Sequence, residues 1–263
     1  MGKTIGVMSI KGGVGKTSSV IALGDAVASF GKKVLLVDAN FSAPNLGAHF
    51  NVIEPSKTIH EVLGRTSNVA EAIKKLDNFD ILPARIFNKK LINPLDLSKK
   101  IKPLNKKYDV IFIDSSPALN EESLATMLTS DEIIIVTTPD LPTLTSTLKI
   151  VRLIRQRDIP ISGLIINKTH DKNFEISLGQ IEEVVEAPVL AVIPYDVNVL
   201  EAAAKFKPST SHKPNSKSSI EYKKLAGVLI GEKFKPRRLR ELFKITPKRQ
   251  EINREIFYDR VFS

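Results

Sequence analysis

The 263-residue sequence predicts an α/β fold: a doubly wound, mostly parallel sheet with helices on both faces and the first strand near its centre. Three observations carry that expectation. Short apolar, β-branched runs alternate with segments of helical periodicity along most of the chain. The first such run, residues 4–10, passes through a glycine-rich turn straight into a helical segment, residues 18–30. A later run sets Val110, Ile111, Phe112 and Ile113 in succession and ends on Asp114, the pattern of a strand buried on both faces.

The elements follow in order. The first helix carries Val20, Leu23, Val27 and Phe30 at helical spacing, and Gly31 ends it. Residues 33–38 form the second strand, with Asp38 at the carboxyl end, where open parallel sheets place their ligands. A short helix over 58–63 is capped by Thr58 and stopped by Gly64. Residues 69–76 read as amphipathic, and 79–83 as a strand whose Pro83 sets it near an edge or a terminus. The lysine-rich stretch 89–107 reads as a surface helix after Pro94. Beyond Asp114 come a helix (119–128), a strand (132–137), a turn, a helix (143–157) and a strand (161–168). An amphipathic segment (174–185), a strand (189–196) and a helix (197–206) follow. The Ser/Pro stretch 208–218 is expected to be mobile, and a final helix covers 219–229 before Gly231.

Composition narrows the function. No run of about eighteen apolar residues exists, so no transmembrane helix is expected. The first strand begins at once and leaves no room for a signal peptide, which points to a cytoplasmic protein. With no cysteine, disulfides, thiol chemistry and cysteine-held iron–sulfur clusters are excluded. Four scattered histidines show no metal-ligand spacing. The net charge is +10, and residues 232–263, with ten Lys/Arg and five Asp/Glu, hold half of it. Such a basic tail suits an acidic partner, though it can also simply be solvated.

The turn after the first strand reads Lys11-Gly12-Gly13-Val14-Gly15-Lys16-Thr17-Ser18. Strand, glycine-rich turn and helix opening on Lys-Thr make a phosphate-cradling P-loop. The glycines let several backbone N–H groups converge on one phosphate, and the helix N-terminus adds its partial positive charge. Lys16 then reaches the β- and γ-phosphates, and the Thr17 hydroxyl ligates Mg²⁺. Asp114, closing a buried strand about 100 residues later, fits the second, Walker B, carboxylate beside that ion.

This P-loop begins as well as ends with a lysine, and in that it resembles the deviant Walker A motif of the MinD/ParA family of dimerising ATPases. The resemblance runs over residues 1–231, taken as the ATPase domain, and leaves 232–263 as a basic amphipathic tail. It implies ATP and Mg²⁺ as cofactors and a homodimer formed on ATP binding, with nucleotide sandwiched between subunits. Lys11 is then the lysine that crosses to the partner's phosphates, acting as an arginine finger does. Asp38 takes the place of the switch I aspartate, an outer-shell partner of Mg²⁺. The family's Asp-x-Asp reads Asp38-Ala39-Asn40 here. The missing carboxylate is the one that positions or activates the hydrolytic water. An amide holds water but takes no proton. Either hydrolysis is slow, or Asn40 is tolerated because a dissociative phosphoryl transfer needs little base. Ser115-Ser116-Pro117 resembles switch II. Asn167 stands where relatives contact adenine, or is a plain turn asparagine. Pro194, in Ile-Pro-x-Asp, stands where backbone lines the adenine pocket.

The implied role is that of a spatial organiser of a division site, surface machinery or cargo, with an activator or cargo protein as partner. A ParA-type ATPase on nonspecific DNA, or an amidoligase-type P-loop enzyme, is the competing reading. In the tail, Leu239, Leu242 and Phe243 among Arg237, Arg238, Arg240 and Lys244 form a basic amphipathic helix. Thr246-Pro247 reads as the start of a second helix carrying Ile252, Ile256 and Phe257. MinD-type members end in a membrane-targeting helix, so the resemblance implies contact of residues 236–262 with anionic lipid. A protein partner, packing on the chain's own body, and DNA are the other readings of this tail.

Overall fold

A computed structural model describes residues 2–86, 92–234 and 247–263. Among the described residues eight strands form one sheet: β1 (Lys3–Met8), β2 (Val34–Ala39), β3 (Lys74–Lys75), β4 (Asp80–Leu82), β5 (Val110–Ser115), β6 (Glu132–Thr137), β7 (Ile161–Thr169) and β8 (Val189–Pro194). Their spatial order is β3-β4-β2-β5-β1-β6-β7-β8, so β1 lies inside the sheet as expected. Every pairing is parallel except β3 with β4.

Alternation along the central strands divides the core. Ile5, Val7, Leu36, Phe112, Ile134 and Val136 face one side, under helices α1 (Lys16–Ala28) and, later in the chain, Lys217–Leu229. Leu35, Val37, Ile111 and Ile113 face the other, where α2 (Ile59–Leu63), α3 (Val69–Ala72), α4 (Leu97–Ile101) and α5 (Glu121–Thr129) gather. Ile133, Ile135, Leu164 and Ile166 continue that face beneath α6 (Leu141–Arg155) and α7 (Leu178–Val185). Burying both faces of a parallel sheet is what its unbroken apolar strands require.

Several expectations on the periphery are corrected. Of the segment 69–76, read as amphipathic, only Val69–Ala72 is helical. Lys74 and Lys75 instead pair antiparallel with β4, because Asp77-Asn78 closes a hairpin in which Leu76 N donates to Phe79 O at 3.0 Å. The lysine-rich segment is no single helix: 3-10 turns at Pro94–Asp96 and Lys102–Lys106 flank α4, and Pro103, lacking an N–H, breaks the ladder. Residues 87–91 lie outside the described set. In the amphipathic segment 174–185 the helix starts at Leu178, because Ser177 and Gln180 form a capping box there, and Phe174 stands 78% exposed.

After β8 come α8 (Val197–Ala204), α9 (Ser209–His212) and α10 (Lys217–Leu229). The stretch 208–218 is tied down rather than loose. Thr210 and Ser211 hydroxyls each donate to Asp25 Oδ2 at 2.6 Å, and Ser218 is fully buried. The expected basic helix 236–245 falls outside the described residues. The last helix, α11 (Arg249–Phe262), starts after Lys248, two residues later than the Thr-Pro signal suggests, with Glu251 Oε2 accepting the Lys248 N–H. It packs on α10 and on β8 at the sheet's edge. Phe257 is 2% exposed within the core. Asn253 Nδ2 donates to Val189 O at 2.7 Å and Arg254 Nη1 to Leu190 O at 2.8 Å, so α11 covers an edge strand that would otherwise be open to pairing.

Candidate functional site

The loop leaving β1 folds through left-handed backbone at Gly13 (φ 80°) and Gly15 (φ 91°), which L side chains rarely adopt. At Gly15 there is no room either: a Cβ would lie 2.2 Å from Asn167 Nδ2. Gly15 is also the N-cap of α1, so the loop's amides and the helix terminus converge on one point. Beside it opens a cavity of about 560 Å³, lined by Lys11 to Ser18, Asn40, Asn45, Asn167 and Pro194, among others. All the phosphate- and base-contact candidates therefore meet in one place. Val14 contributes backbone, since its side chain is buried and its carbonyl accepts from Asn167 Nδ2 at 2.7 Å.

Two candidates, Asp38 and Asp114, lie beneath the cavity rather than on its wall. They are paired across β2 and β5 and are buried. Lys16, 8% exposed, donates to Asp114 Oδ1 at 2.6 Å and to Ser115 O, while Thr17 Oγ1 donates to Asp114 Oδ2 at 2.6 Å. Asp38 accepts the backbone N–H groups of Asn40 (3.1 Å), Asn45 (3.1 Å) and Leu46 (3.0 Å), which anchors the following loop. Burial, with the nearby Asp114 charge, raises its pKa from 3.8 to about 7, against those N–H bonds and Lys16. Two carboxylates, a hydroxyl and a charge-starved interior suit Mg²⁺. That ion takes one or two carboxylates together with phosphates and waters. Thr17, Asp114 and Asp38 are the residues that fit it. When bound, the ion supplies charge neutralisation on the β- and γ-phosphates.

Asn40 is buried, with Nδ2 donating to Ala43 O and Oδ1 without a partner among the described residues. Lys11 stands at the rim, its side chain 41% exposed. Its Nζ lies 2.5 Å from Thr143 Oγ1 and 3.2 Å from Asp140 Oδ1. Although burial acts to raise it, hydrogen bonds from Thr138, Thr143 and Lys11 bring the Asp140 pKa down to about 2.

Sequence reasoning missed the roles of Asp140, read only as a turn residue, and of Thr143, read only as the start of the next helix. The Asp-x-Pro-Thr pattern, an N-cap with proline just inside the helix, was the available signal. It also missed Lys168, whose Nζ donates to Gly13 O at 2.7 Å, and Tyr195 and His49, which line the cavity. No local pattern marks those.

A glycine-built anion cradle at a helix N-terminus, a buried lysine, and carboxylates ending adjacent parallel strands define a P-loop nucleoside triphosphatase. Known proteins agree. A family model described as an AAA domain matches residues 2–161, and one described as 4Fe-4S iron sulfur cluster binding proteins, NifH/frxC family, matches 86–250. No cysteine is present to hold such a cluster. The septum site-determining protein MinD of Thermotoga maritima is 31% identical, over 88% of this chain and 89% of that one. The cell division ATPase MinD of Pyrococcus furiosus superposes with a TM-score of 0.81 at 34% identity, covering 86% of this chain and 97% of that one. MinD of Pyrococcus horikoshii, solved with Mg-ADP, gives 0.82 at 32% identity over 87% and 96%. The chain belongs to the MinD/ParA family of P-loop ATPases, with ATP and Mg²⁺ as its cofactors.

Proposed function

We propose that the chain is a MinD-like ATPase that pairs with a second copy around Mg-ATP, hydrolyses it slowly and so positions another structure or cargo. The observation that carries this is the division of labour between two lysines of one loop. Lys16 is buried against Asp114 under its own P-loop, whereas Lys11 sits half-exposed at the rim. A cation there is suited to a neighbour's triphosphate, where it stabilises transition-state charge without serving its own site. The septum-determining relative supports the organising role.

Size-exclusion chromatography with light scattering, with and without Mg-ATP, tests the pairing. Wild type is expected to double in mass with ATP, and Lys11→Ala to stay single. A wild type that remains single at saturating ATP overturns the reading.

Slow turnover follows from Asn40, whose unpartnered Oδ1 can orient a water but not accept its proton. Residues 232–263 are proposed as the segment that meets an acidic surface at the inner face of the membrane. Within it the contact is assigned to the basic residues 236–245, because Phe257 and Arg254 of α11 are taken up by the body. An activating or cargo protein is the expected second partner.

A further inference from the structure

The chain between β2 and the 3-10 turn at Ala48–Phe50 brings Asn40 and Asn45 to the cavity wall. Its base is secured twice. Asp38 accepts the N–H groups of Asn40, Asn45 and Leu46. Phe41, 6% exposed, belongs to the core and meets His60 of α2 edge-on, with ring centroids 5.8 Å apart. The crown of the loop, Ser42 and Ala43, is exposed and takes no part in that packing. Its hold comes from another element: Ser42 Oγ donates to Glu122 Oε1, at the start of α5.

Glu122 is 7% exposed, and its Oε2 is buried without a partner among the described residues. A carboxylate kept from water with half its accepting capacity unused is costly, and an apolar side chain in its place would not be. Since Asp38 and Phe41 already secure the base of the loop, the fold alone does not call for this carboxylate. Glu122 is itself firmly placed. Asn120 Oδ1 accepts the N–H groups of Glu122 and Ser123, both at 3.1 Å, and Asn120 N donates to Ser123 Oγ at 3.1 Å. Just before that cap, Pro117 lines the cavity and Ser115 O accepts from Lys16. Glu122 thus ties the loop after β2 to the loop after β5, and both contribute to one cavity wall.

We propose that Glu122, acting through Ser42, is a positioning residue for ATP hydrolysis: it holds the loop so that Asn40 Oδ1 meets the attacking water. This rests on the reading of Asn40 as the residue that orients that water. An amide takes no proton, so all that Asn40 contributes is geometry. A misplacement of about 1 Å at such a group costs up to about a hundredfold in rate. A charge-assisted bond to Ser42, two residues along the same loop, is a restraint strong enough to limit it.

Steady-state phosphate release by the full chain, resolved into kcat and KM, tests this together with calorimetric titration by Mg-ADP. Ser42 is exposed, so Ser42→Ala leaves the core intact. It is expected to lower kcat about tenfold, with KM for ATP and the ADP affinity within about twofold of wild type. Glu122→Ala should match it. Glu122→Gln, whose amide oxygen still accepts from Ser42, should recover most of the rate. Asn40→Ala should lower kcat as well, and adding Ser42→Ala to it should cost nothing further, because the side chain being positioned is gone. An unchanged kcat in Ser42→Ala, or a full further loss on top of Asn40→Ala, overturns the proposal. So do equal losses of rate and ADP affinity, which mark a purely structural support. An unchanged rate in Asn40→Ala alone overturns the reading of Asn40, and the positioning role with it.

Discussion

The carboxamide of Asn40 lies where the family pattern has a carboxylate, with its Nδ2 bonded to Ala43 O and its Oδ1 buried and unpartnered. Asn40→Asp would restore a proton acceptor beside the hydrolytic water, a gain worth about a hundredfold or more for a well-placed base. Steady-state phosphate release is expected to rise in that variant, and no rise would remove Asn40 as the ground for the proposed slow turnover. The same change adds a charge close to Asp38, whose carboxyl is already raised, so its melting temperature should fall. Asp38 itself imposes a pH dependence. Its folded pKa, about 7, lies above the unfolded value of 3.8. Its stabilising contribution is therefore full below about pH 4 and is lost as pH rises to about 7, at no more than about 1.4 kcal/mol per pH unit. In EDTA, Asp38→Asn should flatten the fall in melting temperature of wild type between pH 5 and 7. At Gly15, alanine meets both a positive φ and Asn167, so Gly15→Ala should abolish nucleotide binding, as read by ADP titration.

At the scale of elements, α11 shows which of the open readings of the tail its own residues follow. From sequence its apolar residues fit a lipid-facing stripe, a protein partner or the chain's own body, and Phe257 is in the core while Arg254 bridges Glu221 and Leu190 O. Periodicity identifies an apolar face without saying what covers it, and an edge strand with bare carbonyls is invisible until the sheet order is known. Phe257→Ala should lower stability by about 3–5 kcal/mol in urea unfolding, as a buried phenylalanine does. An effect within error of wild type would mean that the helix is undocked in solution. The stretch after Pro94 was misread as one helix for a related reason, since four or five residues fit more than one period.

For the whole molecule, the +10 charge is a long-range term that acts on encounter rather than on fold. Truncation at residue 231 would mix two effects, because it removes both the basic segment and the α11 cover of β8. Replacing Arg237, Arg238 and Arg240 by alanine separates them. Sedimentation with vesicles of anionic lipid is expected to fall strongly, with the melting temperature unchanged. Retained vesicle binding, or loss of binding to duplex DNA instead, would redirect the surface contact.

The local sequence determined the P-loop, the strands ending in Asp38 and Asp114, and the alternation that makes the sheet parallel. Each of these is set by backbone freedom at glycine, by continuous apolar runs, or by spacing within a few residues. Only the tertiary structure decided that Asp140 and Thr143 hold Lys11, that Tyr195 and His170 face each other, and that the last helix closes an edge. Those contacts join residues 25 to 132 positions apart, and no local pattern encodes which distant surfaces the sheet order brings together.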